Sequence, residues 1–257
     1  MHELDPGRAW LPTSPLGPLD EHGPWEHQGL RRHYEHYDTR TSLLHSEFGV
    51  EGMTNRAALE QLIDPEHRWP CDRTNPVYEH LGAWWNNAPF VQEAFGGRIE
   101  DVETMRLASQ WLQYEGLRYA VEATLRRGAG AIPWQLNESY PNAWCTAVVD
   151  WHGEPKPAYW GVKRAYTGAP SASFATCAWG GEEEVRARIH GDVAARIVDL
   201  DGNVFAEARE EIAVQLDAIP TDVFVLDLDG RNRYLMTTTE NLAPLLDGAL
   251  EAWDARC

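Results

Sequence analysis

The string Leu43-Leu44-His45-Ser46-Glu47-Phe48-Gly49 sets a carboxylate directly after a short apolar run and follows it with an aromatic and a glycine. A carboxylate is costly to bury in a core and natural where a strand opens onto a barrel mouth. There Glu47 could act as a nucleophile toward an anomeric carbon, as a general base or as a metal ligand; its plain structural alternative is a salt-bridge partner. A second string, Trp134-Gln135-Leu136-Asn137-Glu138-Ser139-Tyr140, joins an indole, an amide and a carboxylate. An indole face packs on the C–H side of a pyranose while amides and carboxylates bond its hydroxyls. The same string also reads as an exposed loop around a buried Trp.

Other chemistries find less support. His22, His27, His33, His36 and His45 match neither H-E-x-x-H nor a zinc-finger spacing, and Asp-Leu-Asp-Gly at 199–202 and 227–230 lacks the loop length and terminal Glu of an EF-hand. No metal is expected. The serine-hydrolase elbow, the P-loop and the dinucleotide turn are missing, so no cofactor is expected either. Cys71, Cys145, Cys177 and Cys257 lie far apart and suggest neither a zinc ribbon nor a disulfide framework.

Elements must position these residues. Short apolar runs at Ala9–Pro12, Ser42–Ser46 and Ala131–Leu136 read as strands with loaded residues just past them, the grammar of a parallel α/β sheet or barrel. Residues 67–87 read as a long polar loop, and a helix starts at Pro89 and stops at Gly96-Gly97. A longer helix begins after the N-cap Asp101 and ends at Gly128. Its Val102, Met105, Ala108, Leu112, Gly116, Tyr119 and Ala123 form one apolar stripe that needs one surface to pack on. Beyond Gly168, alternating runs flank Asp201-Gly202 and Asp229-Gly230, a hairpin signal that predicts a small antiparallel sandwich.

Composition bounds the partners. The 257 residues carry 40 acidic against 22 basic side chains, a formal charge of −18. That balance argues against nucleic acid, which is gripped through clustered Lys and Arg, and against an anionic membrane surface. No run is apolar enough to span a bilayer, and Met1-His2-Glu3-Leu4-Asp5 lacks the features of a secretory signal, so a cytoplasmic location is expected. Twelve Trp and nine Tyr are many, with ten of the Trp before residue 170. They suit either core filling or a site that stacks flat apolar faces.

Several strings together resemble glycoside hydrolase family 2, the group of β-galactosidases, β-glucuronidases and β-mannosidases. They are Asp5-Pro6-Gly7-Arg8-Ala9-Trp10 with Thr13-Ser14-Pro15, Asp20-Glu21-His22-Gly23-Pro24-Trp25, Ser46-Glu47-Phe48-Gly49, Trp134-Gln135-Leu136-Asn137, and Lys156-Pro157-Ala158-Tyr159-Trp160 with Arg164-Ala165-Tyr166. They stand in family order over residues 5–166. The resemblance implies an α/β then all-β fold: residues 1–168 as the C-terminal half of a (β/α)8 TIM barrel, strands five to eight, and residues 169–257 as an immunoglobulin-like β-sandwich. It implies that Glu47 is the retaining nucleophile and that Trp134 forms the floor of the sugar subsite. His22 and Trp25 would line the same pocket, Asn137 would contact sugar or the nucleophile's surroundings, and a β-linked oligosaccharide or glycoside would be the partner.

The sequence departs from the family where the general acid/base Glu should follow an Asn, because no such strand end is present; Glu138 is the nearest carboxylate to nominate. A closed barrel takes about 250 residues, more than residues 1–168 provide, and open sheet edges are templates for association. The expectation is thus part of a retaining exo-β-glycosidase of β-mannosidase type. Alone it would be inactive, and it would need the missing N-terminal half-barrel or another copy of itself. The rival is a non-catalytic carbohydrate-binding or assembly module, and a misfolded remnant is the blandest alternative.

Overall fold

The computed structural model describes residues 3–8, 10 and 12–253. It begins with a three-stranded parallel sheet in the order β1 (Asp20–His22), β2 (Leu44–Phe48), β4 (Gly130–Pro133). Asp20 pairs with Leu44 and His22 with Glu47 on one side of β2; Leu44 pairs with Gly130 and Phe48 with Pro133 on the other. Parallel neighbours need crossovers. Helix α1 (Leu30–Asp38) supplies the first; the second runs through α2 (Arg56–Leu62), α3 (Ala88–Ala94) and α4 (Val102–Arg126). A short ladder pairs β3 (Gly52–Met53) with β5 (Trp144–Cys145), and α5 (Pro157–Tyr166) packs along α4.

Several expectations need correction. The run Ala9–Pro12 forms no strand among its described residues; Trp10 is exposed, and Ala9 and Leu11 lie outside the described residues, as does Cys257. Among the described residues three parallel strands are therefore present, not the four implied by barrel strands five to eight. Glu47 lies within β2 and not after it, because the ladder continues to Phe48. The segment 67–87 is a loop with two 3-10 turns, Pro76–His80 and Ala83–Trp85, and it buries Cys71 and Tyr78.

Helix α4 carries the cap read from the sequence: Asp101 Oδ1 accepts the N–H groups of Glu103 and Thr104 at 2.8 and 2.9 Å. Its packing differs from one stripe on one surface. Every residue from Ala108 to Thr124 is buried, including Gln110, Gln113, Glu115, Arg118 and Glu122. One face meets the segment after β2 and the short β3–β5 ladder, where Gln113 Nε2 donates to the Val50 carbonyl at 2.8 Å and Gln110 Nε2 to the Met53 carbonyl at 3.1 Å. The other meets the C-terminal sheets, where Arg118 Nη1 donates to the Arg233 carbonyl at 2.9 Å. Buried polar groups must be paired, so these side chains serve as connectors between layers.

From Ser171 onward the chain is antiparallel. Strands β6 (Ser171–Thr176), β7 (Glu184–His190) and β10 (Glu211–Gln215) form one sheet in the order β10-β7-β6. Strands β8 (Ala195–Val198), β9 (Val204–Ala208), β11 (Val223–Leu228) and β12 (Asn232–Thr237) form another in the order β12-β11-β8-β9, and α6 (Ala249–Ala252) follows. Both Asp-Gly signals sit in hairpins: Asp229 and Gly230 each have positive φ, whereas in the other turn Gly202 has it. Asp199 is occupied by its own turn, accepting the N–H groups of Asp201 and Asn203 at 2.9 and 2.8 Å. The architecture is thus mixed α/β followed by a sheet-rich part. Among the described residues no helix is long and apolar enough to cross a membrane.

Candidate active site

The carboxyl end of β2 gathers the sequence-predicted residues unevenly. His22 ends β1, and its Nε2–H donates to Glu47 Oε2 at 2.6 Å. Both side chains are about a quarter exposed, at 27% and 20%. Trp25 meets the His22 imidazole edge-on with centroids 4.9 Å apart. His22, Trp25 and Glu47 therefore form one unit. His22 and Trp25 also wall an open depression of about 640 Å³, among whose wall residues neither Glu47 nor Trp134 stands.

Backbone bonds fix this corner. The Gly23 N–H donates to the Glu47 carbonyl at 2.5 Å, and the Gly49 N–H to the Pro24 carbonyl at 2.8 Å. His45, buried below, reaches the Gly23 carbonyl through Nε2 at 2.6 Å. Burial keeps its pKa below the ordinary imidazole value, against the pull of that bond. Thus His45 stays neutral and acts as a strut for the loop after β1.

Trp134 follows β4 on the opposite side of β2. Its N–H donates to the Phe48 carbonyl at 2.5 Å, its peptide bond to Gln135 is cis, and its side chain is 40% exposed. Gly49 lets the two strand ends approach: a Cβ there would stand 2.7 Å from the Trp134 carbonyl oxygen. Glu47 and Trp134 thus emerge at the same end of neighbouring strands.

Asn137 and Glu138 go elsewhere. They line a separate groove with Trp151 and Tyr159 that shares no wall residue with the depression beside His22. Glu138 is buried and accepts from the Ser139 N–H at 3.2 Å and Asn142 Nδ2 at 3.4 Å. Asn137 is exposed, and its amide donates to the Glu138 carbonyl at 3.3 Å.

Sequence reasoning missed three contributors. Ser14 Oγ lies 3.2 Å from His22 Nδ1 and 2.8 Å from Ser46 Oγ, and Ser46 Oγ donates to the Glu21 carbonyl at 3.0 Å. Asp20 is buried at the start of β1. Burial raises its carboxyl pKa, but the polar groups of Ser14 and Ser46 and the nearby His22 outweigh that and hold it below the ordinary range. All three lie in the strings that resemble the family, but only Ser46 adjoins Glu47 in sequence; Ser14 and Asp20 arrive by tertiary contact.

The other histidines are structural. His27 and His33 are buried and stacked with centroids 4.2 Å apart, and His36 is hydrogen-bonded to Arg40. No group of three His, Cys, Asp or Glu suited to a metal ion occurs among the described residues.

A carboxylate held by an imidazole at the carboxyl end of a parallel strand, with an indole on the next strand end, is an arrangement suited to attack on an electrophilic carbon of a flat-faced ligand. Comparison with known proteins agrees in class: the chain is β-glycosidase-like. No family model matches it. It is 27% identical over 173 residues to "Beta-mannosidase B" of Aspergillus niger, covering 62% of this chain and 20% of that protein. To "Beta-mannosidase B" of Aspergillus fumigatus it is 25% identical over 184 residues, covering 64% of this chain and 21% of that protein. Among solved structures, a β-D-mannosidase from Dictyoglomus thermophilum matches 86% of this chain and 30% of its own with a TM-score of 0.59 at 17% identity, a likeness of fold. The likeness to glycoside hydrolase family 2, in its β-mannosidase-like form, therefore stands at low sequence identity. The chain spans about a fifth of the length of the curated relatives it matches.

Proposed function

We propose that this chain supplies the nucleophile half of a retaining β-glycosidase site acting on β-mannosides. The three parallel strands and their helices, within residues 1–168, are read as the C-terminal half of a TIM barrel, and residues 169–257 as an immunoglobulin-like sandwich. Glu47 is the nucleophile, Trp134 the sugar-stacking floor, and His22 and Trp25 the wall. The carrying observation is the 2.6 Å bond from His22 to Glu47, which aims one carboxylate oxygen and leaves the other for attack.

In the reaction Glu47 would bond to the anomeric carbon while the aglycone oxygen leaves, and water would then release the sugar. A retaining site needs a second carboxyl group about 5–5.5 Å away to protonate the leaving oxygen. Three carboxylates wall the depression beside His22, those of Asp20, Glu21 and Glu26, and we assign the donor's role to none of them. Asp20 is held ionised, and Glu21 is bonded to Arg40 at 3.3 Å and Ser42 at 2.8 Å. Lack of the donor costs about 10²–10⁴ in rate, so the chain alone is expected to be inactive on unactivated glycosides. The donor would come from a polypeptide that extends the sheet at β1 and β4, each of which pairs on one side only among the described residues.

The same lack of a donor favours a second reading, a non-catalytic carbohydrate-binding or assembly module. Trapping with 2-deoxy-2-fluoro-β-mannosyl fluoride separates the two, because fluoride leaves without a proton. Mass analysis is expected to find the sugar on the peptide carrying Glu47, with no adduct in Glu47→Gln. Sugar binding without an adduct would leave the module reading in place.

A further inference from the structure

The groove that takes Asn137 and Glu138 away from Glu47 has its own chemistry. It lies between the segment after Trp134, the loop 149–155 and the first turn of α5, and encloses about 750 Å³. Two aromatic pairs wall it. Trp151 lies against His152 with centroids 3.8 Å apart and planes tilted by 34°, and Tyr159 stands perpendicular to Trp160 at 5.1 Å. Such pairs hold rings in fixed orientation and so lower the entropy lost on stacking a ligand.

Non-local bonds hold the walls together. The Glu138 N–H donates to the Val149 carbonyl at 3.0 Å, the Val149 N–H to the Leu136 carbonyl at 2.9 Å, and the Lys156 N–H to the Val148 carbonyl at 2.8 Å. Asp150 Oδ1 closes the loop by accepting the N–H groups of His152 and Glu154, both at 3.0 Å. The polar equipment then points to a ligand class. The Trp151 indole N–H is buried without a hydrogen-bond partner among the described residues, so it lacks an acceptor. The exposed Asn137 amide offers both donor and acceptor. The walls include two carboxylates and no Lys or Arg, which disfavours phosphates and uronates and suits a neutral polyol.

We infer that this groove is an accessory binding site for a neutral β-linked oligosaccharide, with rings stacking on Trp151 and Tyr159 and hydroxyls meeting Asn137. The inference rests on the carbohydrate reading of the chain and adds a second place at which sugar is held. Only Gln135 stands between Trp134 and Leu136, the first residue of the groove wall, so one extended glycan could touch both.

The test is titration of the full chain with β-1,4-linked mannopentaose, followed by indole fluorescence, beside the Glu47 trapping described above. Saturable binding is expected, weakened about tenfold in Tyr159→Ala and in the exposed-site variant Asn137→Ala, the loss of one stacking or amide contact. Trp151→Phe keeps a ring but removes the N–H, and is expected to weaken binding by a smaller factor. A pentamer of galacturonate should not bind. Unchanged affinity in both Tyr159→Ala and Asn137→Ala, or equal binding of the acidic pentamer, would overturn the inference. An adduct on Glu47 with no mannopentaose binding overturns the groove while sparing the catalytic reading; groove binding with no adduct supports the groove and removes the nucleophile.

Discussion

Replacing Gly49 by Ala probes whether the ends of β2 and β4 must touch for the candidate site to exist. An added Cβ would stand 2.7 Å from the Trp134 carbonyl oxygen, against 3.4 Å and beyond for ordinary contact, with Thr146 Cγ2 at 3.2 Å behind it. The carbonyl has little room to retreat, because the Trp134 N–H is tied to Phe48 at 2.5 Å. Overpacking of this kind costs about 1–3 kcal/mol. Removing a glycine from the unfolded chain returns roughly 0.4–1 kcal/mol. The net expectation is a loss of about 1–2 kcal/mol, read by urea denaturation with an unchanged slope, together with slower trapping at Glu47 as Trp134 is displaced. A Gly49→Ala protein as stable as the parent, and labelled at the same rate, would show that the two strand ends are not in the contact described.

Three further perturbations address the buried titratable and charged groups. Glu51 is buried, and desolvation pushes its carboxyl up to about 8 despite hydrogen bonds from the His27 N–H and Asn87. The native state therefore keeps a proton that the unfolded chain releases near 4.5, so this group's contribution to stability falls as pH rises from there to about 8. Denaturation across that window should show the decline in the parent and its absence in Glu51→Gln. His27 and His33 work in the opposite sense: burial holds each at about 3, so stability should fall as pH drops below 6.5. Arg118 lies 3.9 Å over the Tyr234 ring and donates to Asn232 and the Arg233 carbonyl, while Glu122 accepts from Asn232 and Tyr234, both at 2.7 Å. Arg118→Met should cost about 3–5 kcal/mol in chemical denaturation, and adding Glu122→Gln should recover part of it.

What could be read in advance depended on how local the signal was. Helix α4 was legible because Asp101 and Gly128 cap it and its good helix formers lie between. The hairpins were legible because positive φ at Gly202, Asp229 and Gly230 is a demand on single residues. Glu47 stood out as a carboxylate at an apolar strand. Strand β1 was not legible as an element by pattern: Asp-Glu-His has no apolar alternation, and parallel pairing to β2 alone makes it a strand. Gln110, Gln113, Glu115, Arg118 and Glu122 lie outside the apolar stripe read from the sequence and are nonetheless buried connectors, since their partners lie up to 115 residues away in sequence. The parting of Asn137 and Glu138 from Trp134 was equally hidden, because Val149 bridges Asn137 and Pro155 across a loop that no short motif encodes.

The burial of α4 on all sides has a practical outcome for anyone dissecting the molecule. A protease nick or an engineered stop near Gly168 would strip the C-terminal sheets from Arg118 and leave its guanidinium, with the Glu122 carboxylate, facing water along a helix otherwise built for an interior. Neither excised portion would then be a faithful miniature of the parent, and calorimetry on the intact chain should record a single cooperative endotherm where a beads-on-a-string arrangement would record two.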